Sequence, residues 1–210
     1  MTYVCLLATM ACALPSLSNG AEQGFMSLFN GQDLTGWIGV TNAYIVKDGV
    51  LSSDANSAGN LYTEKEYSNF ILRFEFLLTP NANNGLGIRC PLTGTASYTG
   101  MELQILDDTG SQYTTLQPYQ FHGSIYGVVP AKRGFLKPVG EWNVQEVRAI
   151  GSKITVVLNG EVIVDTDLAT IKETMDKKDH PGLHNPRGHV AWLGHKSLVS
   201  WRNIRIKELP

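Results

Sequence analysis

The sequence predicts an all-β protein, a two-sheet antiparallel β-sandwich of jelly-roll type. Three observations carry that reading. Apolar and polar residues alternate along segment after segment, the period of a strand with one face in a core. Glycine supplies 21 of 210 residues and clusters between those segments, where tight turns use it. The helix period surfaces only in "DLATIKETM" (167–175), too little to build βαβ units, so a doubly wound parallel sheet is excluded.

The elements follow in order. Residues 1–21 read as a secretory signal: an apolar run from Tyr3 to Leu14, then Pro15 and small residues ending at Ala21. No Lys or Arg precedes Lys47, so the usual basic start is missing. Cys12 gives a weak lipoprotein-anchor pattern. The expectation is a chain exported to the periplasm or secreted, with residues 22–210 as one domain and Cys90 as its lone cysteine. "AYIVKDGVLSS" (43–53) is a hairpin turning at Asp48-Gly49. "NFILRFEFLLT" (69–79) alternates Phe70, Leu72, Phe74, Phe76 and Leu78 against Arg73 and Glu75. Strands are expected again at 83–90, 101–107, 121–129, 143–151, 153–166 (turning at Asn159-Gly160), 188–195 and 199–209, with a short helix at 167–175. No repeat of 20–50 residues appears.

Composition excludes some functions. A net charge of −2 offers no basic field for nucleic acid. The mature chain has no apolar run near the ~20 residues that span a membrane. There is no G-x-S-x-G, no phosphate loop and no C-x-x-C.

The side of each strand that faces away from the core is where chemistry would sit. "MELQILDDTG" (101–110) places Glu102 and Gln104 there, and 83–90 places Arg89 there. The expected strand 121–129 places His122, Ser124 and Tyr126 on one parity. Gly85, Gly87, Gly123 and Gly127 lie among them, and glycine inside a strand often marks the close approach of another group. Glu102 and Asp107 stand five positions apart, on opposite faces of a regular strand, so they make no ordinary glycosidase pair. His180, His184, His189 and His195 crowd a short stretch. The H-P-G-L-H spacing resembles a helical metal pair, but Pro181 and Gly182 argue for a loop, with surface histidines as the plain alternative. His195 follows Gly194 at a strand end, where a general base or oxyanion partner suits.

"LFNGQDLTGW", "DGVL", "YSNFILRFEF", "NNGLGIR", "MELQILDD", "GSIYGV", "GEWN", "LNGEVI" and "GHVAWLGHKSLVSWRNIRIKEL" occur in an order that resembles the 3-keto-disaccharide hydrolase domain family, over residues 25–209. The resemblance implies a concanavalin A-like jelly-roll in exported bacterial proteins that cleave glycosides oxidised to a ketone at C3. It implies site roles for Arg89, Glu102, Gln104, Asp107, Tyr126 and His195, with Trp142 and Asn143 in the Gly-Glu-Trp-Asn motif. Where the family has Gly-His-Gly, this chain has Gly194-His195-Lys196.

The chemistry explains such residues. A C3 ketone acidifies the C2 proton; a base removes it, the C1 substituent leaves, and water adds back. The expected base is Glu102 or His195, with Arg89 as oxyanion partner. Gln104, Asp107, His122, Tyr126 and Asn143 are the expected substrate contacts, with Trp142 as a stacking face. No cofactor is required, and a divalent metal held by Glu and His is the alternative to Arg89. The partner is an oligosaccharide or keto-glycoside. The rival reading is a lectin-like module that binds glycan without chemistry.

Overall fold

The computed structural model describes residues 23–210. The expected signal segment, with Cys5 and Cys12, lies outside the described residues. Thirteen strands are found among them. They are β1 (Met26–Ser27), β2 (Trp37–Gly39), β3 (Tyr44–Lys47), β4 (Val50–Ser53), β5 (Ala58–Tyr67), β6 (Phe70–Leu78) and β7 (Asn83–Cys90). After a one-turn helix, α1 (Ala96–Thr99), come β8 (Met101–Leu106), β9 (Trp142–Ile150), β10 (Lys153–Leu158), β11 (Glu161–Asp167), β12 (Gly188–His195) and β13 (Val199–Glu208).

All pairings are antiparallel, in two sheets. The larger runs β11-β10-β9-β6-β13-β4-β3, with β1 also on β13, and the smaller runs β2-β5-β12-β7-β8. This is a jelly-roll sandwich, as the alternation predicts.

Strand β6 shows the cause. Its even positions from Phe70 to Leu78 are buried, and Arg73 and Glu75 on the other face pair with Glu146 and Arg202. Burying each such Phe or Leu is worth about 1.5–3 kcal/mol. Trp192 of the small sheet stacks on Trp201 of the large one with ring centroids 4.5 Å apart, tying the layers together. The expected turns form where Asp48 (φ 51°) and Asn159 (φ 51°) accept the left-handed conformation ahead of a glycine.

Two expectations change. Residues 121–129 are not a strand: Gly123 and Gly127 take φ of 79° and 75°, and the chain turns back on itself between Ile125 and Val129. The segment lies along the free edge of β8. Gln104 N–H donates to Ser124 O, Gly123 N–H to Gln104 O, and Tyr126 N–H to Glu102 O. An edge that would otherwise expose unpaired backbone is thereby covered. The helix expected at 167–175 shrinks to a 3₁₀ turn, Leu168–Thr170, capped by the Asp167 side chain.

Candidate functional site

The outer face of the small sheet carries a cleft of about 230 Å³ beside β8. Glu102 and Gln104 project into it from β8, Asn83 from the start of β7, and His195 from the end of β12. The β7–β8 connection adds Ser97 and Tyr98; the long link from β8 to β9 adds Tyr113, Gln120 and Tyr126. Glu102, Gln104 and His195 thus share the face that their pleat parity sets, and the edge-covering loop brings Tyr126 beside them.

Glu102 and His195 stand on strands separated by β7, and the contact between them depends on Gly85. A Cβ at Gly85 would lie 2.2 Å from Glu102 Oε1, so only glycine lets the carboxylate lie across the β7 backbone. Oε1 then sits 3.8 Å from His195 Nε2, ion-pair range rather than a formed hydrogen bond. The Glu102 side chain is 8% exposed and that of His195 51% exposed, so the carboxylate stands behind an accessible imidazole. The Glu102 carboxylate holds the His195 pKa above its ordinary value, against the opposing effect of partial burial. Gln104 donates one amide hydrogen to Asn83 Oδ1 (2.8 Å), and Gln120 donates to Tyr126 Oη (3.3 Å).

Other expected residues lie elsewhere. Arg89 is 3% exposed and adopts φ 50° at the bulge where β7 shifts register against β12. That bulge turns its guanidinium away from Glu102: Nε donates to Ser68 O (3.0 Å) and Nη1 to Gly151 O (2.7 Å). It lines a separate cleft with Asn69 and Asn185 and joins three loops, so it holds no place as oxyanion partner to Glu102.

Asp107 closes the turn after β8, accepting from Asn81 N–H (2.8 Å) and from Thr109 N–H (3.0 Å). His122 is buried between the sheets, stacked on Phe76 at 5.0 Å, and cannot contact substrate. Its Nδ1 accepts from Leu106 N–H (3.3 Å), which leaves Nε2–H to donate to Gln145 Oε1 (3.0 Å). Desolvation pushes its pKa down to about 4. Ser124 is also buried, its hydroxyl accepting from Ala131 N–H (2.9 Å).

Trp142 lies on the outer face of the large sheet under the Arg202 guanidinium, 4.1 Å from its ring centroid. Asn143 is buried and accepts from Lys137 N–H (2.9 Å) and Asn159 Nδ2 (2.8 Å). Both belong to the large sheet, away from the cleft.

The C-terminal histidines do not converge. His180 pairs with Asp176 (3.1 Å), and His189 Nδ1 lies 2.7 Å from Thr63 O, while His184 is exposed. Among the described residues no group of three or more His, Cys, Asp or Glu is placed to hold a metal. Glu102 and His195 offer two donors, so an ion at that point would draw its remaining ligands from amides, water or substrate. Among the same residues no helix is long and apolar enough to cross a membrane.

A jelly-roll with a carboxylate–imidazole pair and tyrosines in a small cleft has the convergent polar groups of a small-molecule site, a fold and arrangement open to enzymes and binding modules alike. The chain belongs to the 3-keto-alpha-glucoside-1,2-lyase-like domain family, whose pattern matches residues 24–207. It is 22% identical, over 89% of its length and 79% of the relative's, to a 3-keto-disaccharide hydrolase of Bacteroides thetaiotaomicron. Its fold is similar to that of a candidate glycosyl hydrolase from Parabacteroides distasonis (TM-score 0.78, 28% identity, 88% of this chain and 99% of the other). It is also similar in fold to the carbohydrate-binding module CBM66 of Bacillus subtilis (TM-score 0.56, 10% identity, 82% and 96% covered). Family and relative names place it among carbohydrate-active, hydrolase-like domains.

Proposed function

We propose that this protein cleaves 3-keto-glycosides by elimination and hydration. The observation that carries the reading is the Glu102–His195 pair, 3.8 Å apart, in a cleft whose lining, among the described residues, has Glu102 as its one carboxylate. Such a cleft suits proton abstraction next to a ketone better than direct displacement at C1.

His195, the accessible member, takes the C2 proton, and Glu102 behind it raises its basicity. The charge that develops on the C3 oxygen is met by the uncommitted amide hydrogen of Gln104 and by the Tyr126 hydroxyl, whose oxygen already accepts from Gln120. The bond from C1 to its substituent breaks as the 1,2-double bond forms. Water then adds its hydroxyl to C1, and C2 regains a proton. A divalent ion held at Glu102 would supply Lewis-acid stabilisation of the same oxygen and leave the His195 imidazole free as base. Export of the chain completes the proposal, since oligosaccharides are met outside the cytoplasm.

The reaction run in heavy water tests it. An exposed imidazole exchanges its proton with solvent, so the released 3-ketoglucose should carry deuterium at C2 from the first turnovers. Product without deuterium, or binding without product, overturns the reading; the second result is what a lectin would give.

A further inference from the structure

Elimination also needs a proton for the departing oxygen when that oxygen belongs to a sugar. Three tyrosines line the cleft, and their hydrogen bonds separate them. Tyr113 donates its hydroxyl proton to Asn81 O (3.0 Å) and is committed. Tyr126 and Tyr98 instead accept at oxygen, from Gln120 Nε2 (3.3 Å) and from Lys178 Nζ (2.9 Å), so each keeps its proton to give. Lys178 lies within electrostatic reach of both hydroxyls, but among the described residues it is the Tyr98 oxygen that it hydrogen-bonds, and a cation in contact is what stabilises the phenolate left after the proton departs.

The surroundings fix that arrangement. Tyr98 sits on α1, whose Ser97 carbonyl lies 3.1 Å from His180 Nδ1. The His180 ring packs 4.7 Å from the Tyr98 ring, and its Nε2 lies 3.1 Å from both oxygens of Asp176. Asp176 also accepts from the backbone N–H of Lys178 (3.1 Å). One short segment, 176–180, therefore holds both the ring and the ammonium that meets its hydroxyl. No pattern in the sequence marks Tyr98; the link appears only when α1 packs on that segment.

Resting on the reaction proposed above, we infer that Tyr98 is the proton donor to the departing C1 oxygen and that Lys178 holds the resulting phenolate. His195 takes the proton from C2, the C–H electrons form the 1,2-double bond, and the C1–O bond breaks with its electrons going to oxygen. That oxygen takes the Tyr98 proton. In the hydration half, water gives its hydroxyl to C1 and its proton to the Tyr98 phenolate, while the imidazolium returns a proton to C2. Both groups regain their starting states.

A pair of leaving groups tests the assignment. Methyl 3-keto-glucoside needs its leaving oxygen protonated; 4-nitrophenyl 3-keto-glucoside does not. In Tyr98→Phe, kcat for the methyl glycoside should fall by about 10²-fold or more, and for the nitrophenyl glycoside only a few-fold. Lys178→Met, a change at an exposed position that leaves the fold untouched, should show the same split to a smaller degree. Equal losses on both substrates, or no loss on either, overturn the role of Tyr98 while leaving the reaction standing. Wild-type protein that releases neither aglycone overturns the reaction itself, and the role with it.

Discussion

Three residues show how far a side chain's type is from its job. Arg89 is cationic and stands on a strand of the site, yet its hydrogen bonds all go to loop carbonyls, Nη2 being buried with no partner. Arg89→Ala should cost about 2–4 kcal/mol, because acceptors in three loops lose a charged donor. Denaturant melts should show that loss, and His195 should titrate as before. Lys196 adopts φ 55°, the left-handed region where glycine is at ease. Lys196→Gly should therefore stabilise the fold by about 1 kcal/mol, read as a raised urea midpoint with unchanged slope. His122 is a core group. With its pKa lowered from 6.5 to about 4, the unfolded chain binds the extra proton between those values. Stability from this group is full above pH 6.5 and lost as pH falls toward 4, by about 3 kcal/mol in all. In His122→Gln that part of the pH dependence should vanish from urea melts, whatever the variant's overall stability.

Among the elements, β7 shapes the site by what it lacks. Gly85→Ala would drive a Cβ into the Glu102 carboxylate, a flexible side-chain end that can swing aside, so the sheet should survive. The displaced carboxylate would no longer support His195, whose pKa should drop toward its ordinary value in an NMR titration, with turnover falling in parallel. The same element explains what was legible in the sequence. Alternation marks Phe70–Leu78, Met101–Leu106 and Gly188–His195, and gives the faces of Glu102, Gln104 and His195. It fails for Ala58–Tyr67, where Leu61, Tyr62 and Thr63 are buried in succession and no period-2 signal exists. It misleads at 121–129, where parity is meaningless once Gly123 and Gly127 turn the chain. Arg89 was misplaced by a bulge, and a bulge shifts every later residue to the other face.

At the scale of the molecule, one sheet carries the cleft and the other packs behind it. The large sheet holds Trp142 and Asn143 and offers the core wall on which His122 rests; the small sheet, with the loop that seals β8, carries the cleft. The resemblance read from the sequence points to residues on both sheets, and the structure separates them: Trp142 and Asn143 lie on the large sheet, Glu102, Gln104 and His195 at the cleft of the small one. On the proposed function, the cleft acts on a sugar already oxidised at C3. The most direct test is to offer the protein a matched pair, a glucoside and its 3-keto form, and to measure released aglycone from each. Release from the 3-keto-glucoside alone is the predicted result. Release from the unoxidised glucoside, or from neither, would contradict it.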